Sequence, residues 1–189
     1  TIITSYWFVV HWKKPFQDCI EPVLGALKMA MDVGDVKNTF YAIMTYSELY
    51  LHCGLSLDPI KQDMMRFVEV LEGYGQGYFL TLYLPRVQLV LNLMGKSENP
   101  MVLTGEVMDQ EECLATWTES ENKGALQGLF FCRMLLAYYF DDLQLAEEMS
   151  AKQLSPIELG FGPWLPPRTM FQGLIAFALF KATGRRKYK

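Results

Sequence analysis

The chain has 189 residues, of which 51% are hydrophobic and 20% are charged, and its formal net charge is -4. This composition excludes an intrinsically disordered chain, because disordered segments are poor in apolar residues, and the length suits one domain with a sizeable core. The negative charge gives the molecule no general attraction to phosphate backbones, so we predict no nucleic-acid partner.

The first quarter of the chain predicts three helices. The opening segment TIITSYWFVVHW is rich in β-branched and aromatic residues, which suits a strand as well as a helix, and we favour a helix. After Pro15, apolar residues recur at spacings of three and four as far as Met31, which predicts an amphipathic helix. Gly34 then supplies the left-handed residue that often ends a helix, and Asp35 can cap a third helix that runs to about Cys53.

Two further helices are predicted in the first half of the chain. Gly54 ends the third helix, and a Ser or Asp cap followed by Pro59 starts a fourth helix that runs to about Leu71. The segment GYGQG then breaks the chain before a strongly apolar fifth helix over about residues 78–94. Pro85 lies within this helix and is expected to bend it.

The second half of the chain predicts four more helices. A short helix over DQEECLATWTES precedes the run KGALQGLFFCRMLLAYYF, which is apolar on nearly all sides and is typical of a helix buried among neighbours. The segment LQLAEEMSAKQL predicts an amphipathic partner for that helix. A Pro/Gly-rich loop at residues 155–167 then leads to a last helix over RTMFQGLIAFALFKATG, which ends at Gly184.

These helices form pairs that begin near residues 35, 76 and 120. The intervals, roughly 36 to 45 residues, are close to the periods of known helical repeats. We therefore predict an all-α protein in which antiparallel helix hairpins stack as a tetratricopeptide-like α-solenoid, a single domain over residues 1–189. A compact, irregular helical domain built from the same helices is the alternative.

Cysteine usage and hydropathy predict a cytoplasmic protein without a membrane span. The four cysteines are far apart in the chain, which fits a reducing cytosol better than an extracellular disulfide framework. The two most apolar windows, FLTLYLPRVQLVLNLMG and LQGLFFCRMLLAYYF, are shorter than the roughly 20 residues of a membrane helix, and each contains an arginine. The chain begins with Thr1 and shows no targeting peptide, so we expect a fragment of a longer protein.

Two glycine-containing segments match phosphate-binding motifs only in part. The sequence GKS at 95–97 lacks the first glycine of G-x-x-x-x-G-K-[ST], because Val90 occupies that position, and it follows a helix where the motif needs a strand. In GYGQGYF, Tyr78 stands where the third glycine of G-x-G-x-x-G belongs. We interpret both segments as turns between helices.

The acids and histidines also leave every metal or catalytic site incomplete. In FDDLQLAEE, Asp141 and Asp142 resemble the paired acids that hold magnesium in terpenoid-processing helical enzymes, but Leu145 stands where a third acid is needed, so helix capping is favoured. His11 and His52 lie in separate helices without convergent ligands, and a nucleophilic Cys-His pair assembled by folding is the less favoured alternative to interior histidines. We predict no catalytic, cofactor-binding or metal-binding residue in the segment.

Two charged residues in apolar sequence are candidates for special roles. Asp35, in the stretch MDVGDVKNTFYAI, could be a catalytic acid, a metal ligand or a helix cap, and its position after Gly34 favours the cap. Arg133 is the second candidate, because a charge in a buried helix needs either an acid or an anionic ligand beside it. A simple Arg-carboxylate pair is the favoured expectation. The alternative is a helical small-ligand receptor or enzyme with a pocket between the helix of Arg133 and the loop ELGFGPWLPP.

Several segments occur in an order that carries a family resemblance: the Gly34-Asp35 step with Tyr41-Ala42 after it, Gly54 followed by Leu57, PRVQLVLNLMG, the sequence LTGE at 103–106, LLAYYFDDLQLAEEMS and FQGLIAFAL. In this order they resemble the helical region of large predicted ATPases of the signal-transducing, AAA-like (STAND) class. In such proteins a protein-kinase-like domain often precedes the ATPase, and a GAF module with a histidine kinase or a cyclase often follows the helices.

The resemblance has departures and limits. Lys37 stands where the family usually has an acidic residue, and Asn38 and Thr39 stand where it has smaller ones. The nucleotide-binding and kinase motifs of the family lie outside this segment, so no catalytic residue is carried over. The resemblance implies a non-catalytic scaffold or sensor segment of a cytoplasmic signalling ATPase or kinase, whose partner is another protein or the neighbouring domains of its own chain.

Overall fold

The computed structural model describes residues 2–155, 162–185 and 188, and every regular element within these ranges is helical, which confirms the predicted all-α class. A short 3₁₀ helix at Val10–Trp12 follows the first α-helix. The α-helices are α1 Ile2–Phe8, α2 Phe16–Asp32, α3 Val36–Leu51, α4 Leu57–Gly73, α5 Gly77–Leu93, α6 Gln110–Glu119, α7 Lys123–Tyr139, α8 Leu143–Ala151 and α9 Leu165–Thr183.

The predicted helices all occur, with small differences at their ends. The ambiguous opening segment forms α1 and the 3₁₀ helix, so the helical interpretation is confirmed. The last helix begins at Leu165, before the predicted start at Arg168. Pro166 and Pro167 fit in its first turn, because the N–H group that proline lacks has no intrahelical partner there. Residues 156–161 of the predicted Pro/Gly-rich loop lie outside the described ranges.

Three helix junctions share the same two-residue step. The first residue has a positive φ, and the side chain of the second caps the next helix by accepting a backbone N–H three residues further on. The N–H of the capping residue also donates to the carbonyl five residues earlier, which satisfies an acceptor at the end of the preceding helix. The three steps are Gly34-Asp35, Glu121-Asn122 and Asp141-Asp142. The predicted role of Asp35 as a helix cap is confirmed.

The chain divides into two compact units, Thr1–Leu80 with Gly160–Leu165 and Thr81–Leu159 with Pro166–Lys189. In the first unit α3 packs most extensively on α2 and also contacts α1 and α4. The hairpin of α3 and α4 that the sequence predicts is therefore in contact, but α2 is the main neighbour of α3. In the second unit α7 packs on α8, as predicted, and on α6. The single repeat stack over the whole chain stays a prediction.

Each unit has its own apolar core. In the first unit the fully buried side chains include Ile43, Leu49 and Met64. In the second unit α7 is the central element, because ten of its 17 residues are buried, which confirms the prediction for this run. Within the described ranges, no helix combines the length and the apolar character that crossing a membrane requires.

The connection between α5 and α6 is held by buried amide side chains as well as by the apolar side chains of Leu103 and Met108, which join the core of the second unit. Gln88 and Asn92 lie one turn apart on α5, and the Gln88 side-chain N–H donates to the Asn92 side-chain oxygen at 2.8 Å. At the other end of the connection, the side-chain oxygen of Gln110, the first residue of α6, accepts a hydrogen bond from the Leu103 N–H. The backbone groups bound by the three amides are the carbonyls of Pro100 and Val102 and the N–H groups of Leu103 and Val107.

Candidate functional site

A pocket of about 370 Å³ lies in the first unit between α1 and the first turns of α3. This volume is near the lower end of the range for small-molecule pockets, roughly 300 to 1,000 Å³, and it can also take a side chain of a bound peptide. Four lining residues come from α1 and three from α3: Ile3, Thr4, Trp7, Phe8, Lys37, Asn38 and Tyr41.

The wall of the pocket is aromatic and firmly held. Trp7 is buried, and its ring meets Tyr41 edge-on with 5.0 Å between the ring centroids. On another side the indole packs edge-on against Trp164, with 4.8 Å between centroids. Edge-to-face pairs of this kind add to the stabilisation from burial and restrict ring motion. Phe8, in contrast, is 48% exposed, so one apolar ring of the wall is available to a ligand.

The α3 side of the pocket is organised by the helix cap. The Asp35 carboxylate accepts from the Asn38 backbone N–H at 3.0 Å and from the Asn38 side-chain N–H at 2.6 Å. These two hydrogen bonds, the side-chain bond first, hold the pKa of Asp35 below its usual range. An acid held ionised in this way is a poor proton donor. Asp35 therefore shapes the pocket through Asn38 rather than through chemistry of its own.

Among the lining residues within the described ranges, Lys37 is the one that carries a charge, and it lies on the exposed surface of α3. Its ammonium lies 5.9 Å from the centroid of the Tyr41 ring, within the range of a cation-π contact. The lining residues that the structure describes include no acid, histidine or cysteine, which are the groups that nucleophilic or acid-base catalysis most often uses. The arrangement can bind an apolar group beside a polar or anionic one.

The two histidines have interior partners. The ring of His11 is buried and its Nδ1 lies 2.9 Å from the Tyr6 carbonyl. His52 Nε2 lies 3.6 Å from the buried carboxylate of Glu48, one turn earlier on α3. Burial raises the pKa of the Cys53 thiol, which disfavours the thiolate that a nucleophilic Cys-His pair would need. These contacts favour interior histidines over catalytic ones.

The adjacent acids Asp141 and Asp142 serve the junction between α7 and α8. Asp141 occupies the left-handed position with a φ of 62°, and the Asp142 carboxylate accepts from the Leu145 N–H at 2.9 Å. The favoured capping interpretation of this pair is confirmed for Asp142. Across the described residues, no group of three or more histidine, cysteine or acidic side chains is placed to hold a metal ion.

Arg133 lies half-buried on α7, and burial lowers its pKa. Glu148 on α8 opposes that shift, but its carboxylate pairs with Lys152 at 2.7 Å, and among the described residues no acid forms an ion pair with Arg133, so the expected Arg-carboxylate pair stays a prediction. The Arg133 Nε is buried and has no hydrogen-bond partner in the part of the chain that the structure describes. Residues 156–161 of the loop predicted to face Arg133 lie outside that part, so a pocket there stays a prediction.

A second guanidinium, that of Arg168 in the first turns of α9, is buried, which was not predicted from the sequence. One of its terminal nitrogens donates to the Leu154 carbonyl, while Nε and the other terminal nitrogen have no partner within the described residues. Burial lowers the pKa of Arg168. Because Arg168 follows two prolines, it resembles a residue in the solvent-exposed first turn of a helix, and no local pattern indicates its burial.

The aromatic pocket was also missed, because the tyrosine, phenylalanine and tryptophan residues were interpreted as core. A local signal was available in Lys37 and Tyr41, which lie four residues apart and share a face of α3. No protein-family model matches the chain, and neither curated proteins nor solved structures give a match.

Proposed function

We propose that this segment is a non-catalytic helical scaffold that binds a protein partner, or a neighbouring domain of its own protein, through the pocket between α1 and α3. The observation that carries the proposal is the composition of the pocket lining within the described residues: an aromatic wall, one amide and one lysine, without an acid, histidine or cysteine. Aromatic residues are enriched at the centres of protein interfaces, where they fill pockets of this kind.

The geometry favours a binding site that is formed before the partner arrives. Trp7 is fixed by the rings of Tyr41 and Trp164, and Asn38 is fixed by Asp35, so few side chains lose freedom when a ligand enters. Pre-organisation reduces the entropic cost of association. Phe8, which is half exposed, offers a partner apolar surface that binding would bury.

The family resemblance supports a wider proposal about the parent protein. We propose that the scaffold belongs to a cytoplasmic signalling ATPase or kinase of the STAND class and relays occupancy of the pocket to nucleotide hydrolysis or phosphotransfer elsewhere in that protein. The support is the order of segments that includes the Gly34-Asp35 step and the sequence LTGE at 103–106. Both segments have architectural roles here, the first at a helix junction and the second in the connection held by buried amides.

The experiment is a selection from a phage-displayed random peptide library on the purified 189-residue chain. Selected peptides are expected to lose affinity at least about tenfold on the Phe8→Ser and Tyr41→Ser variants, as for aromatic residues at the centre of an interface. Phe177→Ser is the matched control, because Phe177 is a phenylalanine that is 65% exposed in the second unit.

Two results would contradict the proposal. Peptides that bind equally well to wild type, Phe8→Ser and Tyr41→Ser would remove the pocket from the interaction. ATP hydrolysis or phosphotransfer by the purified chain, at a rate that follows the protein through successive chromatography steps, would show that the segment is itself catalytic.

A further inference from the structure

We infer that the pocket between α1 and α3 selects an acidic peptide segment, in which an aromatic or aliphatic side chain enters the pocket and a neighbouring Asp or Glu carboxylate meets Lys37. The inference rests on the proposed function, because it names the partner's chemistry at the same site. It follows from the placement of charge around the pocket.

Lys37 is available to a ligand. It is exposed, and within the described residues no acid forms an ion pair with it. The nearest acid along the chain, Asp35, uses both carboxylate oxygens for hydrogen bonds to Asn38, and Lys37 is the smallest of the influences on the Asp35 pKa. The facing helix α1 carries no charged residue. Within the described lining, the charge that the pocket presents to a ligand is therefore the ammonium of Lys37.

The same lysine disfavours cationic ligands. An aromatic pocket usually attracts ammonium groups through the negative faces of its rings. Here the Lys37 ammonium already lies 5.9 Å from the Tyr41 centroid, so a second cation at that wall would meet a like charge. A lysine, arginine or methylated lysine anchor is thus disfavoured relative to a neutral anchor with a carboxylate beside it.

Exposed apolar side chains continue along the chain beyond the pocket, which favours a peptide over a free aromatic acid. Phe8 is followed by Val9 and Trp12, and all three are about half exposed. A small acid would fill the pocket without touching such residues, whereas residues flanking the anchor of a peptide can cover them. The burial of this extra apolar surface would contribute to affinity in proportion to its area.

The probes are three peptides of equal length with the same phenylalanine anchor: acetyl-Gly-Glu-Phe-Glu-Gly-amide and its analogues with Gln or Lys in place of both Glu residues. Binding is followed by ¹H-¹⁵N NMR titration of the 189-residue chain, with the Trp7 indole signal as the reporter of the pocket. We expect the Glu peptide to bind about twofold to fivefold more tightly than the Gln peptide, as for an exposed ion pair, and the Lys peptide to bind most weakly.

Lys37→Gln is expected to make the Glu and Gln peptides equal without weakening the Gln peptide. Lys28→Gln is the matched control, because Lys28 is an exposed lysine on α2 of the same unit and its loss changes the net charge by the same amount. Far-UV circular dichroism of both variants checks that they stay folded. A preference for Glu that Lys28→Gln abolishes and Lys37→Gln leaves intact would overturn the inference.

The remaining outcomes separate this inference from the proposed function. If all three peptides bind wild type equally, the acidic preference is wrong and the peptide-binding pocket stands. If none of them shifts the Trp7 signal, the pocket does not bind peptides and both proposals fail. If 3-phenylpropionate binds as tightly as the Glu peptide, the pocket is a site for a small aromatic acid and the peptide is the wrong ligand.

Discussion

The two oxygens of the Asp35 carboxylate bind two different nitrogens of Asn38, the backbone N–H at 3.0 Å and the side-chain N–H at 2.6 Å. The first bond starts α3, and the second fixes an amide that lines the candidate pocket. One acid therefore couples the local fold to the candidate site. The position that first suggested chemistry acts through the placement of its neighbours.

Asp35→Ala is expected to lower the thermal unfolding temperature at pH 7 by about 2 to 4 °C, because a helix loses its cap. Asp35→Asn should retain most of the stability, since asparagine caps helices about as well as aspartate. Circular dichroism at the helical signal measures both effects. An Asp35→Ala protein that unfolds at the wild-type temperature would contradict the capping role, and a folded variant that lost all peptide binding would require a direct role in the site.

The stabilisation by Asp35 is expected to disappear in acid. The hydrogen bonds from Asn38 hold the pKa of Asp35 below its ordinary value, so the folded state favours the ionised form. The difference in stability between wild type and Asp35→Ala should therefore be constant above about pH 5 and shrink as the pH falls through the lowered pKa. Thermal unfolding at several pH values measures this. A difference that grew on acidification would contradict the direction of the shift.

Asp141→Gly is expected to stabilise the protein by about 0.5 to 1 kcal/mol, because a residue with a side chain is strained in the left-handed region and glycine is not. Asp141 has a φ of 62°. Glu121, with a φ of 52° at the corresponding position before α7, should respond in the same way. Urea denaturation measures the change in the free energy of unfolding.

The control for these two variants is Gln144→Gly, an exposed position inside α8. That substitution should destabilise the protein by about 1 kcal/mol, since glycine is unfavourable within a helix. If Asp141→Gly and Gln144→Gly had the same sign, the conformation of Asp141 would have no part in the stability of the junction.

The sequence predicted the helices well because their signals are local. Apolar residues at spacings of three and four mark a buried face, and the residues that end a helix act within one turn of it. The Gly34-Asp35 step was recognised by residue type alone. The equivalent step at Glu121-Asn122 was not recognised, because glutamate rarely adopts the left-handed backbone conformation and its residue type does not indicate it.

The candidate pocket and the buried amides depend on distant parts of the chain, and the sequence could not place them. Nothing in the spacing of residues indicates that Trp7 on α1 meets Tyr41 on α3, since that contact follows from the packing of the helices on one another. Gln88 and Asn92 were visible as two amides one turn apart in an apolar helix, which is a signal for a buried network. Their partners, however, lie in an irregular connection that has no periodic pattern.

Tyr46→Phe is expected to destabilise the protein by about 1 to 2 kcal/mol, because the buried Tyr46 hydroxyl donates to the Asp63 carboxylate at 2.6 Å and so links α3 to α4. Tyr50→Phe, at a more exposed tyrosine of the same helix, should cost less. Chemical denaturation of the two variants provides the comparison. Equal losses would mean that the bond between Tyr46 and Asp63 has no special value.

Tyr46 also makes stability sensitive to alkali. Burial, as the larger cause, and the hydrogen bond to Asp63 raise the pKa of Tyr46. The folded state therefore keeps the phenolic proton up to a higher pH than the unfolded state does. The associated stability is present below about pH 10, the ordinary pKa of tyrosine, and is lost as the pH rises further. Tyr46→Phe should remove this part of the alkaline loss, which unfolding measurements from pH 8 to 11 would detect.

Gly105→Ala is expected to destabilise the second unit by about 1 to 2 kcal/mol through Gln88. A Cβ atom at Gly105 would lie 2.5 Å from the Gln88 side-chain nitrogen, so Gln88 would have to move. That movement would disturb the bond to Asn92 and the bond that the Gln88 oxygen accepts from the Val107 N–H at 3.3 Å. Hydrogen exchange should then show faster exchange of the Val107 amide, together with a lower free energy of unfolding.

Gly173→Ala is the matched control for Gly105→Ala, because Gly173 lies within α9 of the same unit and an added Cβ there meets nothing within 4 Å. Alanine is favoured over glycine in a helix, so Gly173→Ala should raise stability by about 0.5 to 1 kcal/mol. The double variant Gly105→Ala/Gln88→Ala tests the cause: once Gln88 is shortened, the alanine at 105 has room and should add little further loss. If the two losses were simply additive, the clash with Gln88 would not be the reason for the glycine.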